Sequence, residues 1–154
     1  MNKPKESPSA IDHEIWHRVE IEVSPSAAYQ ALTELKKLAG WWTSDTRGEE
    51  KLGGVLEFWY GNFCQEMRVS ALEKDRLVRW QCLDKGMPDW IGSEIEFTIT
   101  PHKGHCFVFF RHSKWPEITE IFPHCSMSWA VVLLSLKQLL ETGKGRPYPD
   151  EIKR

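Results

Sequence analysis

The sequence has no paired cysteines, no surplus of either charge and no long apolar run, and each lack removes a class of function. Lysine and arginine number 20 against 22 aspartate and glutamate, a formal charge of −2. Nucleic-acid binders carry a basic face to neutralise phosphates, and this balance supplies none, so no nucleic-acid partner is expected. A membrane-spanning helix needs about 20 consecutive apolar residues. The best candidate, Ala130 to Leu134, is broken by Ser135 and then Lys137. The opening residues, MNKPKESPSAID, hold charge and proline without the apolar core of a secretory signal. Residues 1–11 are expected to form a disordered tail, because nothing in them repays the entropy of ordering. Cys64, Cys82, Cys106 and Cys125 stand singly, with no C-x-x-C spacing. They read as reduced thiols buried as small hydrophobes in a cytoplasmic protein. Glycine-rich phosphate loops, the G-x-S-x-G elbow and the dinucleotide fingerprint are also missing.

Aromatic residues, by contrast, are plentiful: eight Trp, seven Phe and three Tyr in 154 residues. That is more bulky aromatic surface than a minimal core requires. It implies either an oversized packing or the wall of a cavity.

Along the chain, His13 to Val23 alternates, with Ile15, His17, Val19, Ile21 and Val23 on one face and Trp16, Arg18, Glu20 and Glu22 on the other. Period two over this length predicts a strand with one wet face. Ser24-Pro25 then reads as an N-cap followed by proline at the first helical position. A second short helix is expected over Glu34 to Ala39, stopped at Gly40. After a polar stretch, Arg47 to Leu52, and the Gly53-Gly54 turn, strands are expected at Val55–Tyr60, Phe63–Leu72, Leu77–Leu83, Ile91–Thr100 and His105–His112. Turns fall at Gly61-Asn62, Asp75-Arg76 and Pro101 to Gly104, and a loop at Asp84 to Asp89. In the last strand Phe107, Val108, Phe109 and Phe110 are consecutive, a pattern of burial on both faces. A final helix is expected from His124 to Thr142, with Trp129, Leu133, Leu136 and Leu140 as its apolar stripe and Gly143 as its stop. The fold class is therefore α+β. A curved antiparallel meander, with two short helices after its first strand, grips a long C-terminal helix within one domain at 12–150.

These landmarks carry a family resemblance. They are Gly40-Trp41-Trp42, Gly53-Gly54 opening a strand, a strand holding Trp80, Pro101-x-x-Gly104, His112-Ser113-x-Trp115-Pro116, and Trp129 followed by Leu136 and Leu140. Together they resemble the START-like (SRPBCC) superfamily, in the branch related to the C-terminal domain of the activator of the heat-shock protein 90 ATPase. Ser128 and Lys114 depart from the pattern, standing where glycine is frequent. The resemblance implies a helix-grip fold with a cavity between sheet and C-terminal helix, in a superfamily whose members bind lipids, hormones or polyketides. Fold kinship does not by itself fix function.

The expected ligand-binding set is Trp41, Trp42, Phe58, Met67, Trp80, Phe97, Phe109, Trp115, Trp129 and Leu133, facing an apolar small molecule. The competing reading is that these side chains simply fill the core. His102, His105, His112, His124 and Cys125 could hold zinc only if turn, strand and helix start met, and neither helical His pairs nor paired cysteines support this. No metal and no cofactor are expected. Of the strand residues Glu66, Arg68, Arg79, Gln81 and Arg111, some could point into the cavity, as a carboxylate acting as acid or base or as an Arg–Glu pair that only orients, yet strand alternation assigns most of them to the wet face. No catalytic residue is singled out. Two further readings stand beside ligand binding: cyclase, dehydratase or hydrolase chemistry in the same pocket, and a chaperone-interaction surface. The chain is little longer than the fold, which argues against the latter. Trp16 on a wet face suggests a homodimer.

Overall fold

Alternating apolar and charged residues produce β1 (Ile15–Ile21), whose Ile15 and Ile21 are buried while Trp16, Arg18 and Glu20 stay exposed. The computed structural model describes residues 13–154; the expected tail at 1–11 and the first residue of the expected domain lie outside the described residues. At the end of β1 the Ser24 hydroxyl accepts a hydrogen bond from the Ala27 N–H, 3.2 Å, and Pro25 opens α1 (Pro25–Thr33). Such a cap is worth about 1 kcal/mol. The short α2 (Leu35–Leu38) follows, and its end packs on α3, where a Cβ at Gly40 would lie 3.1 Å from the Leu139 side chain.

Six further strands follow: β2 (Asp45–Gly48), β3 (Val55–Tyr60), β4 (Phe63–Glu73), β5 (Leu77–Cys82), β6 (Glu94–His102) and β7 (His105–Ser113). They form one antiparallel sheet in the order β1-β7-β6-β5-β4-β3-β2, so the first strand pairs with the last. A bulge between Val69 and Ala71 bends β4. The long helix α3 (Ile121–Thr142) lies on the concave face, and Gly143 ends it in the left-handed conformation at φ 88°. This is the α+β arrangement the pattern predicts.

Several expectations need correction. The polar stretch that holds Asp45–Gly48 forms the strand β2; its Asp-Thr-Arg-Gly carries no apolar alternation and is extended because it pairs with β3. β6 runs through Pro101 to His102. Ile99 N–H points to the β5 side, reaching Arg76 O at 2.8 Å, so Pro101 faces that side where β5 has already ended. A missing N–H is harmless there. The turn is then Lys103-Gly104, both at positive φ, as in a two-residue hairpin of type I′. In β7 the four consecutive apolar residues are not buried on both faces: Val108 and Phe110 point inward, while Phe109 is 36% exposed and Phe107 lies under the Arg18 guanidinium at 4.3 Å. Finally, α3 starts three residues before His124, because Pro123 falls within its first turn, where an N–H has no helical partner.

Candidate functional site

The sheet is gripped unevenly. Among the strands, α3 packs most closely on β1, where the Ser126 carbonyl meets His17 Nε2 at 3.0 Å and Lys137 reaches the Glu20 carbonyl at 2.6 Å. On the opposite side a wedge opens between the N-terminal half of α3 and the β3–β4 hairpin. It forms a cavity of about 300 Å³, at the small end of the range for ligand pockets. Its walls are Trp42, Tyr60, Phe63, Gln65, Met87, Trp90, Cys125, Trp129 and Val132; His124, Ser128 and Arg154 supply polar groups.

Each wall has a local cause. Trp42 follows the stop of α2, with its N–H bonded to Leu38 O at 3.0 Å. Trp90 closes a 3₁₀ turn, Pro88–Trp90, and its indole N–H donates to Cys125 Sγ at 3.4 Å. Trp90 and Trp129 stack with ring centres 5.7 Å apart, and Trp129 meets Trp42 at 5.0 Å. Gln65 is buried at the sheet end of the cavity with both ends of its amide engaged: Oε1 accepts from Met87 N–H at 2.9 Å and Nε2 donates to Glu66 O at 3.0 Å. This pins the loop before Trp90. Gly86 is required there, since a Cβ would sit 2.1 Å from Gln65 Oε1.

Of the ten residues predicted to face a ligand, the structure brings Trp42 and Trp129 to the cavity. Trp41, Phe58, Met67, Trp80, Phe97, Trp115 and Leu133 are buried in the core cluster instead, packed on one another. Trp80 touches Phe58 at 5.6 Å and Phe97 at 5.1 Å between ring centres, which leaves the middle of the grip filled. Phe109 lies on the outer face. The sequence reading missed Tyr60, Trp90 and Arg154. Pro88 before Trp90 was the available sign, as proline favours the first position of a helical turn.

Behind the cavity lies a closed polar network. His112 is fully buried, and its Nδ1 accepts the Trp129 indole N–H at 3.2 Å. That assignment leaves the proton on Nε2, which donates to Ser93 Oγ at 2.7 Å, and the Ser93 hydroxyl donates to Trp90 O at 2.6 Å. Burial drives the His112 pKa from its ordinary value down to about 3, so the ring is neutral. Trp90 and Trp129, two walls of the cavity, are thus oriented by one histidine that does not itself line it.

The model of the family described as activator of Hsp90 ATPase homolog 1-like protein matches residues 22–141. The chain belongs to that family. Aha1 from Colwellia psychrerythraea, solved in solution as a dimer, is 38% identical, covers 86% of this chain and 99% of its own, and superposes with a TM-score of 0.79. A protein from Mesorhizobium loti (19% identity, 84% of this chain and 97% of its own, TM-score 0.74) shares the fold. So does CalU16 from Micromonospora echinospora, at 18% identity, 89% and 71% coverage and a TM-score of 0.72. No match was found among curated proteins.

In this family member the remaining chemical candidates have defined places. Glu66, Arg68, Arg79, Gln81 and Arg111 all face outward. Arg79 joins Glu96 at 2.7 Å and Glu94 at 3.3 Å in an ion-pair network on the convex face. His102 and His105 oppose each other across the β6–β7 turn, far in register from His112. Among the described residues no three His, Cys, Asp or Glu side chains converge as a metal would need. No helix there is long and apolar enough to cross a membrane. All four cysteines are free and buried, and burial pushes the thiols of Cys82 and Cys125 up to about 12 and about 11. Thiols held this way are protonated and poor nucleophiles. Lys114, where the family pattern favours glycine, adopts φ 59°, a left-handed conformation natural to glycine.

Proposed function

We propose that this chain binds a small apolar or aromatic molecule in the cavity between α3, the 3₁₀ turn and the β3–β4 hairpin. One observation carries the reading: Trp42, Tyr60, Trp90 and Trp129 line a half-open cleft of about 300 Å³, whereas the aromatics at the centre of the sheet pack directly on one another. Burial of ligand surface supplies the affinity, and the polar groups at the mouth set orientation. Four free buried cysteines suit a reducing compartment such as the cytoplasm. The test is titration with a naphthyl probe, following tryptophan fluorescence, together with native mass spectrometry of the isolated protein. Saturable binding near one site per chain supports the reading; its absence, with Trp90→Ala also inert, defeats it.

A homodimer is the second proposal. A relative at 38% identity is a dimer, and here Trp16, 63% exposed, and Phe109 share the outer face of the β1–β7 edge. Light scattering of wild type against Trp16→Lys tests it: a dimer lost in the variant supports this face, and a monomeric wild type ends it.

A further inference from the structure

We propose that the molecule held in this cavity carries a carboxylate, bound at the mouth by Arg154. The inference rests on the ligand-binding reading above and names the chemistry of its polar end.

Arg154 is delivered by the segment after α3, whose path is fixed by backbone contacts. Gly145 lies in a slot where a Cβ would sit 2.3 Å from Gly40 O and 3.0 Å from Ser135 O. Beyond it, Arg146 N–H donates to Ser135 Oγ at 2.8 Å. Tyr148 bridges in parallel with Thr43, giving its N–H to Trp42 O at 2.8 Å and accepting from Ser44 N–H at 3.1 Å. The Tyr148 ring meets Tyr60 at 5.0 Å, and Asp150 N–H closes a turn onto Pro147 O at 2.8 Å. The chain then reaches back across the cavity, where Arg154 Nε donates to Ser128 Oγ at 2.8 Å.

This leaves a guanidinium over the cavity without an anionic partner. Arg47, Arg76, Arg79 and Arg111 each meet a carboxylate; Arg18, Arg68, Arg146 and Arg154 are in no ion pair among the described residues, and of these Arg154 lines the cavity. The nearby carboxylates are committed elsewhere. Asp89 accepts from Thr119 Oγ1 at 2.6 Å, and Glu151 pairs with Lys153. The charge of Arg154 is felt by Tyr60 against that of Glu151 and by Cys125 against the larger influence of Asp89, and burial dominates at each and keeps them neutral. The cavity is therefore neutral and aromatic within and has one guanidinium without a carboxylate partner at its mouth. That polarity suits an amphipathic molecule with a flat apolar body and one anionic end. With Nε given to Ser128 Oγ and one Nη1 hydrogen to Ile152 O at 3.5 Å, the remaining Nη hydrogens of the planar guanidinium are left for a carboxylate. A phosphate monoester, carrying close to two charges, is typically met by clustered arginines, and here one arginine with a serine hydroxyl fits a monoanion.

The experiment is calorimetric titration of the full chain with naphthoate and with the neutral isostere naphthamide, in wild type, Arg154→Gln and Arg154→Lys. Wild type should prefer naphthoate by about tenfold, as a charge-assisted hydrogen bond predicts. Arg154→Gln should erase the preference by weakening naphthoate alone, Arg154→Lys should retain part of it, and about 0.5 M salt should narrow it. Equal wild-type affinities, or equal losses for both probes in Arg154→Gln, would overturn the carboxylate assignment and leave the cavity reading intact. Binding of neither probe would overturn both.

Discussion

Lowering the pH should destabilise this protein through His112 alone by an amount large enough to measure. The ring is enclosed by Trp90, Trp115 and Trp129, with ring centres at 5.0, 4.3 and 6.1 Å, and both its nitrogens are already engaged as one donor and one acceptor. A second proton would have to displace the Trp129 indole N–H from Nδ1 and charge a site with no counterion. Its pKa is accordingly depressed from 6.5 to about 3 in the folded protein. Because the folded value is the lower one, the stabilisation is full above about pH 6.5 and drains away as pH falls towards 3. At about pH 4.5 the unfolded histidine is protonated and the folded one is not. Two pH units at 1.36 kcal/mol each give a loss of about 3 kcal/mol relative to neutral pH. Urea unfolding of wild type and His112→Gln across this range isolates the effect. Glutamine can still donate to Ser93 and accept from Trp129 but does not titrate. It should cost about 1–3 kcal/mol at neutral pH through imperfect geometry, and the gap should shrink by about 3 kcal/mol, or reverse, near pH 4.5. A gap that stays constant with pH would refute the reasoning, as would a nitrogen-detected spectrum placing the proton on Nδ1.

Other consequences are independent of that network. Leu133→Ala in the filled core should lower stability by about 2–5 kcal/mol in chemical denaturation, because the packed aromatics around it cannot collapse into the gap. Gly145→Ala should free the segment after α3, read as faster hydrogen exchange at Tyr148 with little change in α3, because its Cβ would collide with Gly40 O. Arg79→Met should cost about 1 kcal/mol: its side chain is a third exposed on the convex face, and Glu94 and Glu96 keep Lys114 and Arg111 as partners. Trp90→Ala should enlarge the cavity and shift probe preference towards bulkier rings, since Trp90 forms one wall and its replacement leaves Cys125 without its donor.

The physical reason some features were legible in the sequence is that they are local. Strand alternation places Ile15 and Ile21 inward and Arg79 and Arg111 outward without reference to any distant residue. Ser24-Pro25 and Gly143 mark helix ends by their own chemistry. Local logic also produced the errors. Four apolar residues in a row hide which two face out, so Phe109 is expected inward, and a helix expected from His124 leaves out Pro123, which the first helical turn tolerates.

The sequence by itself determined the α+β class, nearly every strand and helix, and the aromatic character of the interior, all properties written in nearest-neighbour pattern. Tertiary structure alone decided which aromatics fill the grip and which border empty space. That depends on α3 leaning towards β1, so that the wedge opens beside the β3–β4 hairpin. It also decided that His112, 17 residues from Trp129 and 19 from Ser93, is a buried orienting group, and that Arg154 meets Ser128 across 26 residues of chain. No local signal encodes such meetings, because their cause is how the sheet curls and where the helix comes to rest upon it.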